Sequence, residues 1–331
     1  MSRNVDFLVR RMNEEDLPAV AEVEAGVFTD WYRLYRRQPE PLPERSLEEL
    51  RYACSHDPDG NHVAVAADGA LVGFIMTRTW GSVGWFGTFG VPTQFQGMGI
   101  GKALVDSAVG YLTDRCNVIG LETMPESGAN IGLYTRAGFV ATCPTHILEL
   151  SLIQETERLG GMPPDEVQTW GGLGTIARSG ALGSIREMSD ALMSGLDYCR
   201  EVRAVHEHGL GRTVLAPGKG GRPDGFAILR IAPFRKEDTS GRVFIHALGI
   251  RPGIDPEPML RSLLRQVWST ATTLGMSRVA AGVNARNHLA ARLLIESGFR
   301  IVRSAVRMVM LPAVGGIFTP TEDVEASRWA G

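Results

Sequence analysis

Apolar residues recur with two different periods along the first 150 residues. Residues 6–11 show the two-residue period of a strand, whereas an apolar stripe that begins at Leu17 recurs at helical spacing. Asp68-Gly69 joins two alternating segments and favours a tight hairpin. Further elements are predicted as a helix at 47–54, a strand at 85–91, a helix after residue 101, a strand at 118–124, a helix at 131–137 and a strand at 139–150.

The second half of the chain repeats this order. Ile295-Glu296-Ser297-Gly298-Phe299 corresponds to Thr135-Arg136-Ala137-Gly138-Phe139 at an offset of 160, and the strand end Ile250 corresponds to Val91 at an offset of 159. Two anchors that agree to within one residue argue for an internal duplication. The second-half elements are predicted as a helix at 184–206, strands at 212–216, 225–234 and 242–250, a helix at 257–274, a strand at 277–283, a helix at 287–297 and a strand at 299–311.

Length and composition favour two ordinary α/β domains. A chain of 331 residues is long enough for two hydrophobic cores, and its 44% hydrophobic and 21% charged residues are typical of a globular protein. A glycine-rich stretch from Gly160 to Gly183 separates the two repeats. We therefore expect a first domain at 1–152, a linker at 153–183 and a second domain at 184–331.

The charge of the chain limits its possible partners, and its cysteines indicate the cellular compartment. The net charge of −3 provides no basic field for nucleic acid or an anionic membrane, and no run of 18 apolar residues occurs. The four cysteines lack CxxC spacing, which favours reduced thiols. We expect a cytoplasmic protein without nucleic-acid, membrane or metal partners, and a homodimer is left open.

A glycine cluster follows the strand at 85–91 and opens the next helix. Unpaired N–H groups at a helix N-terminus hold phosphate oxygens, so Gln96-Gly97-Met98-Gly99-Ile100-Gly101-Lys102 is the candidate site for a nucleotide. A P-loop is excluded because Gln96 stands at its first glycine and Ala103 follows Lys102. A dinucleotide fingerprint is disfavoured because Lys102 and Leu104 stand where its third glycine belongs.

Two motifs together resemble the GCN5-related N-acetyltransferase (GNAT) superfamily. Val91-Pro92 followed by Gln96-x-x-Gly99-x-Gly101 is similar to its pyrophosphate loop, and Asn130 to Phe139, with Tyr134 and Gly138, is similar to its second motif. The resemblance covers nearly all of residues 5–150 and extends more faintly through 184–311. It implies an α/β (α+β) fold of two tandem GNAT-like domains, each a curved mixed, mainly antiparallel sheet flanked by helices.

The resemblance also implies a site for acetyl-CoA, or another acyl-CoA, as co-substrate. Phe89, Gly90 and Val91 would pair by backbone with the pantetheine arm, and Asn130 would contact the pantetheine or diphosphate region. The amides from Gln96 to Lys102 would hold the pyrophosphate, through Gln96, Gly97, Met98, Gly99, Ile100, Gly101 and Lys102. Tyr134 would donate a proton to the departing thiolate while an amine attacks the thioester directly.

The second half lacks both chemical elements. Alignment of Ile250 with Val91 places Pro256 and Pro258 at two of the three loop glycines, and proline has no N–H to offer a phosphate. Alignment of Gly298 with Gly138 places Leu294 where Tyr134 stands. We therefore expect one CoA site per chain, and a second domain that shapes the acceptor site, stabilises the first domain or mediates association.

The base and the acceptor are less defined by the sequence. Glu122, on the strand next to the cleft, is the best candidate for the general base, since Trp85 to Val91 contains no acid. Trp31 and Tyr35 are the candidates for lining the pocket of the amine acceptor, a small molecule or a peptide. Two alternatives stay open at this point, namely a non-catalytic acyl-CoA sensor and a dinucleotide-dependent oxidoreductase.

Overall fold

The computed structural model describes residues 5–152, 167–231, 235, 241–311 and 320–329. Residues 5–152 are called the first half below, and residues 167–329 the second half. The first half contains β1 (Phe7–Arg11), α1 (Leu17–Arg36), α2 (Leu47–His56), β2 (His62–Ala66), β3 (Leu71–Trp80), β4 (Val83–Gly90), α3 (Ile100–Thr113), β5 (Val118–Thr123), α4 (Gly128–Arg136), β6 (Phe139–Ala141) and β7 (Thr145–Ser151).

Among the described residues, the second half follows the same order from its first two helices onward, without a strand that corresponds to β1 and with β13 added after β12. Its elements are α5 (Thr175–Leu192), α6 (Cys199–Glu207), β8 (Gly211–Pro217), β9 (Pro223–Arg230), β10 (Arg242–Ile250), α7 (Pro256–Thr273), β11 (Arg278–Asn284), α8 (His288–Glu296), β12 (Arg300–Met310) and β13 (Glu325–Ser327). None of the described helices is long and apolar enough to cross a membrane.

Local sequence explains where the helices begin and end. The Ser46 hydroxyl accepts the Glu49 N–H and so caps α2, and the Asn13 side chain accepts the Asp16 N–H just before α1. Gly138 and Gly298 follow α4 and α8 with φ of 93° and 97°, a conformation that glycine adopts without steric cost. The duplication inferred from the sequence therefore extends to the way these two helices end.

Two sequence predictions are wrong in detail, and one strand was missed. The single strand predicted at 139–150 is two strands, β6 and β7, because the chain turns at residues 142–144. The single helix predicted at 184–206 is α5 and α6, and α5 begins at Thr175, inside the predicted linker. Residues 153–166 of that linker lie outside the described residues, and β13 was not predicted at all.

All thirteen strands join one open sheet, in the order β1-β2-β3-β4-β5-β12-β7-β11-β10-β9-β8, with β6 on β12 and β13 on β10. Most strand pairs are antiparallel, and β4–β5 and β10–β11 are parallel. Helices flank the sheet in both halves, so the predicted fold class is confirmed.

The two halves exchange their last strands. β7 belongs to the first half, but it pairs with β11 and β12 of the second half. In turn, the end of β12 pairs with β5 and β6 of the first half. The hydrophobic cores follow this exchange, since Leu148 and Leu150 of β7 lie in the second core and Met308 of β12 lies in the first. The predicted boundary at residue 152 stays a prediction.

A third core cluster joins the halves. Trp80 and Trp85 of the first half pack with Ile185, Tyr198 and Trp329 of the second half, all of them buried. The indole N–H of Trp329 donates to the Tyr198 hydroxyl oxygen at 2.6 Å. The indole of Trp329 lies edge-on to that of Trp85 at 4.7 Å between ring centroids, so the end of the chain is anchored between the halves.

Candidate active site

The parallel strands β4 and β5 separate at one end. They pair from Val83 and Val118 to Phe86 and Leu121, and the rest of β4 continues without β5 as a partner. On its other side, the end of β4 is held by β3, where Phe89 lies opposite Ile75. The free edge that begins at Gly87 therefore offers backbone groups to an extended ligand.

The glycine loop lies directly beyond this edge. Gly97 and Gly99 have φ of 80° and 86°, and a Cβ added at either would meet nothing within 4 Å. Gly99 is the N-cap of α3 and no side chain caps that helix, so its first N–H groups have no capping partner. The Gln96 side-chain amide donates to the Val91 carbonyl at 3.0 Å and braces the loop against the end of β4. The loop thus leads into a helix start without a side-chain cap, and its role as an anion site stays a prediction.

Three further loop residues differ in their surroundings. Ile100 is buried in the first core, Met98 is half-buried, and Lys102 is exposed and paired with Asp106 at 2.5 Å. A Cβ on Gly101 would lie 3.3 Å from the Phe89 ring, so this glycine allows α3 to approach β4 closely. The groups that the loop offers to an anion are therefore mainly backbone N–H groups and not the Lys102 side chain.

Asn130 and Tyr134 lie one helical turn apart on α4 and both line a cavity between the separated strands. Tyr134 is only 4% exposed, and its ring lies edge-on to Phe86 at 5.6 Å and to Phe89 at 6.3 Å. Burial raises the pKa of Tyr134 well above its usual value. The phenol therefore carries its proton at neutral pH, as a proton donor must.

The cavity has a volume of about 120 Å³ and both halves of the chain form its wall. Its floor is the widening gap between β4 and β5, from Gly87 to Phe89 and from Leu121 to Met124. The first half also contributes Phe28, Phe86, Asn130, Tyr134 and Ile147, and the second half contributes Arg303, Ser304, Ala305 and Arg328.

Glu122 lies in this wall, but its carboxylate already has partners. Its Oε1 accepts from Nη2 of Arg307 at 2.8 Å, from Nε of Arg307 at 3.1 Å and from the Thr145 hydroxyl at 2.5 Å. The ion pair is buried, with side chains only 4% and 2% exposed for Arg307 and Glu122. These contacts all involve Oε1.

The predicted acceptor residues are near the site but not in this cavity. Trp31 and Tyr35 pack against each other on α1 at 5.2 Å between ring centroids, and Tyr35 is 42% exposed. Among the described residues, Phe28 is the α1 residue that lines the cavity. The role of Trp31 and Tyr35 stays a prediction.

The corresponding gap in the second half is filled by the chain itself. β10 and β11 pair in parallel as far as Ile245 and Ala281, which correspond to Phe86 and Leu121. Beyond that point β13 pairs with β10, with Ala326 opposite Leu248. The Ile250 N–H also donates to the Val324 carbonyl at 3.1 Å. Residues 324–327 therefore occupy the backbone edge that stays open in the first half.

The N-terminus of α7, the helix after this second gap, is also unsuited to binding an anion. Pro256 lies at the start of α7, and the Asp255 carboxylate accepts the Glu257 N–H at 3.3 Å. The side chain of Asp255 thus takes an N–H group that a phosphate would need and brings a negative charge to the same place. Leu294, at the position of Tyr134, is buried in the second core.

Sequence reasoning missed the contribution of the second half to the cavity. Arg303 and Arg328 belong to no recognisable motif, and they reach the site only because β12 crosses into the first half and β13 precedes Arg328. Phe28 could have been found, since it shares a helix with the aromatic residues that were singled out.

The separated strand pair, the glycine loop and the tyrosine on α4 lie together in the first half. A family model described as the acetyltransferase (GNAT) family matches residues 28–139. This match includes the glycine loop and Tyr134 and agrees with the resemblance carried by the two sequence motifs.

Similar proteins agree with this assignment. Mycothiol acetyltransferase of Paenarthrobacter aurescens (strain TC1) is 33% identical over 106 residues, which are 30% of this chain and 33% of that protein. The match thus spans about a third of the length of the curated relative. A GCN5-related N-acetyltransferase of Sphaerobacter thermophilus has a TM-score of 0.61 at 17% identity, covering 93% of this chain and 97% of its own.

A tandem arrangement also occurs among the solved structures. A tandem GNAT protein from the clavulanic acid biosynthesis pathway has a TM-score of 0.56 at 13% identity, covering 92% of this chain and 98% of its own. At these identities the two structures show the fold alone, and they show it for nearly the whole chain.

Proposed function

We propose that this protein transfers an acetyl or other short acyl group from acyl-CoA to an amine, at the single cleft of its first half. The observation that carries the proposal is the open backbone edge of β4, which leads from the glycine loop into a cavity lined by Tyr134. An extended arm with an anionic end and a thioester fits that path. The GNAT-family match over residues 28–139 supports it.

In the proposed reaction the amine nitrogen attacks the thioester carbonyl carbon directly. The C–N bond forms first, and the C–S bond breaks when the tetrahedral intermediate collapses, as the Tyr134 hydroxyl gives its proton to the leaving sulfur. Backbone N–H groups at the free end of β4 steady the oxyanion of the tetrahedral intermediate. The nitrogen of the intermediate gives up its extra proton to Glu122 or to solvent, and Tyr134 regains a proton from solvent.

The attacking amine must be neutral, because a protonated amine has no free electron pair. An alkylammonium has a pKa of about 10.4 and is mostly protonated at neutral pH. Glu122 is the proposed group that orients the acceptor amine and receives its proton, directly or through water. The rate is expected to rise with pH as more of the acceptor becomes neutral.

The proposal is tested by thiol release from acetyl-CoA in the presence of a panel of amines, with Tyr134→Phe as the variant. Loss of a general acid costs about 10²- to 10⁴-fold in rate, so kcat should fall by at least about 100-fold while acetyl-CoA affinity is kept. Tyr111→Phe is the matched control, since Tyr111 donates to Asp57 at 2.9 Å and does not line the cavity.

Unchanged turnover in Tyr134→Phe would refute the role of this tyrosine. Tight binding of acetyl-CoA without transfer to any amine would instead indicate a non-catalytic acyl-CoA sensor.

A further inference from the structure

The second half of the chain contributes four residues to the wall of the cavity. Arg303, Ser304 and Ala305 come from β12, and Arg328 follows β13. None of the described loop residues from Gln96 to Lys102 lines this cavity. The two arginines therefore lie apart from the glycine loop, where the CoA pyrophosphate is proposed to bind.

Strand geometry places Arg303 on the same sheet face as Glu122. Side chains alternate along β12, so Arg303, Ala305 and Arg307 share one face, and Arg307 lies directly opposite Glu122. Four residues of strand separate Arg303 from Arg307, which is about 13 Å between Cα atoms. The long Arg303 side chain shortens that gap, so one small acceptor can contact both Arg303 and Glu122.

Two arginines of the second half, Arg303 and Arg328, line this wall. Glu122 is the one carboxylate among the described residues that line the cavity, and Arg307 already pairs with it. Arg303 and Arg328 then add two guanidinium groups. Burial lowers the pKa of Arg328, the charge of Arg303 acts in the same direction, and the charge of Glu122 acts in the opposite one. Both arginines and Glu122 thus contribute to the electrostatics of one cavity.

Given the proposed acyl transfer, on which this step rests, we infer that the acceptor is a small amine that also bears a carboxylate, with the carboxylate held by Arg303 and Arg328. A guanidinium binds a carboxylate through two parallel N–H donors, which fixes orientation as well as charge. The amine end then points toward Glu122, Tyr134 and the thioester. The second half thereby determines which amine is acylated.

The experiment compares matched acceptors in the acetyl-CoA assay with the full chain. One series contains amino acids, including β-alanine and 4-aminobutyrate, and the other contains their carboxamides. The wild type should favour the acids by about tenfold or more in kcat/KM, as expected for a charged hydrogen bond. Arg303→Gln and Arg328→Gln should remove this preference, mainly through KM for the acceptor, and leave acetyl-CoA affinity unchanged.

Two controls separate recognition from folding. Arg300→Gln changes an exposed arginine on the same strand, outside the cavity, and should keep the preference. Arg328→Lys retains the charge and should recover part of the preference, even if loss of the contact between Arg328 and Phe244 lowers stability.

Three results would count against the account, and they are distinguishable. Equal kcat/KM for acids and carboxamides would overturn this inference and leave the transferase function intact. A preference for acids that survives both glutamine variants would also overturn it. Transfer to no amine of either series, despite acetyl-CoA binding, would overturn the proposed function itself.

Discussion

Glu122 and Tyr134 lie in the same cavity wall, but Tyr134 has aromatic neighbours whereas Glu122 has a charged one. Tyr134 is surrounded by Phe86 and Phe89, and its pKa is raised by burial. Glu122 is held in a buried ion pair by Arg307, a residue of the second half. The guanidinium of Arg307 also lies 4.5 Å from the ring centroid of Trp329, so the acid at the site is tied to the interface between the halves.

This arrangement predicts that Glu122→Gln destabilises the protein. Removal of the carboxylate leaves Arg307 buried without a counter-charge, and breaking a buried pair typically costs about 3–5 kcal/mol. Urea unfolding should show that loss, and the double variant Glu122→Gln/Arg307→Met should recover much of it, because apolar replacement of a buried pair is often neutral. A loss below about 1 kcal/mol in the single variant would contradict a structural role for the pair. If the stabilised double variant also lacks transfer activity, the effect on catalysis is separate from folding.

At the scale of elements, the exchange of β7 and β12 makes each half depend on the other. In isolation, residues 1–152 would lose the strand that pairs with Gly120 to Thr123 of β5. They would also lose the apolar partner Met308, which lies in the first core. An exposed strand edge of this kind promotes aggregation.

We therefore expect residues 1–152, expressed alone, to lack a cooperative unfolding transition and to bind no acetyl-CoA. Expressed together with residues 167–331, they should recover both properties, as measured by circular dichroism and calorimetry. An isolated first half that binds acetyl-CoA as tightly as the whole chain would show that the exchanged strands are dispensable.

The element order was largely predictable from sequence, but the exchange was not. Hydrophobic period identified β1 to β5, α1 to α4 and most of the second half, because each element carries its own pattern. That pattern does not specify which strand pairs with which. The pattern of β7 would be the same whether β7 paired within its own half or with β11. The glycine loop and Tyr134 were found because they lie in local motifs. Arg303 and Arg328 were missed because only the tertiary fold brings them to the cavity.

At the scale of the whole molecule, a buried charged cluster fixes the halves together. Glu201 of α6 lies 3.3 Å from Nε2 of His246 and 3.9 Å from Nδ1 of His56, and its Oε1 lies 3.9 Å from Nη1 of Arg230. Burial alone would raise the pKa of Glu201, but His246, His56, Arg78 and Arg230 together lower it. This carboxylate thus stays charged between groups that come from both halves.

The histidines of the cluster predict acid sensitivity. Burial lowers the pKa of His246 to about 4 and lowers that of His56 as well. An unfolded histidine binds a proton below a pH of about 6.5, whereas the folded protein resists protonation until about pH 4, so stability falls as pH falls between these values. Glu201, whose pKa is lowered, adds a loss of the same sign below about pH 4.5.

Urea unfolding between pH 7.5 and 4.5 should therefore show a loss of about 2 kcal/mol or more on acidification. His246→Gln should flatten this dependence, since glutamine does not titrate. Parallel pH profiles for the wild type and His246→Gln would show that this histidine does not cause the acid sensitivity.

The central claim is that the duplicated chain has one acyl-CoA site, at the glycine loop of the first half. Isothermal titration of acetyl-CoA into the wild type, Gly99→Val and Gly253→Val tests it most directly. The two glycines form a matched pair, since their φ values are 86° and 84° and a Cβ on either meets nothing within 4 Å, so a β-branched side chain strains both loops alike. We predict one site per chain, weakened at least about tenfold by Gly99→Val and unchanged by Gly253→Val. Two sites per chain, or loss of binding in Gly253→Val but not in Gly99→Val, would contradict the account.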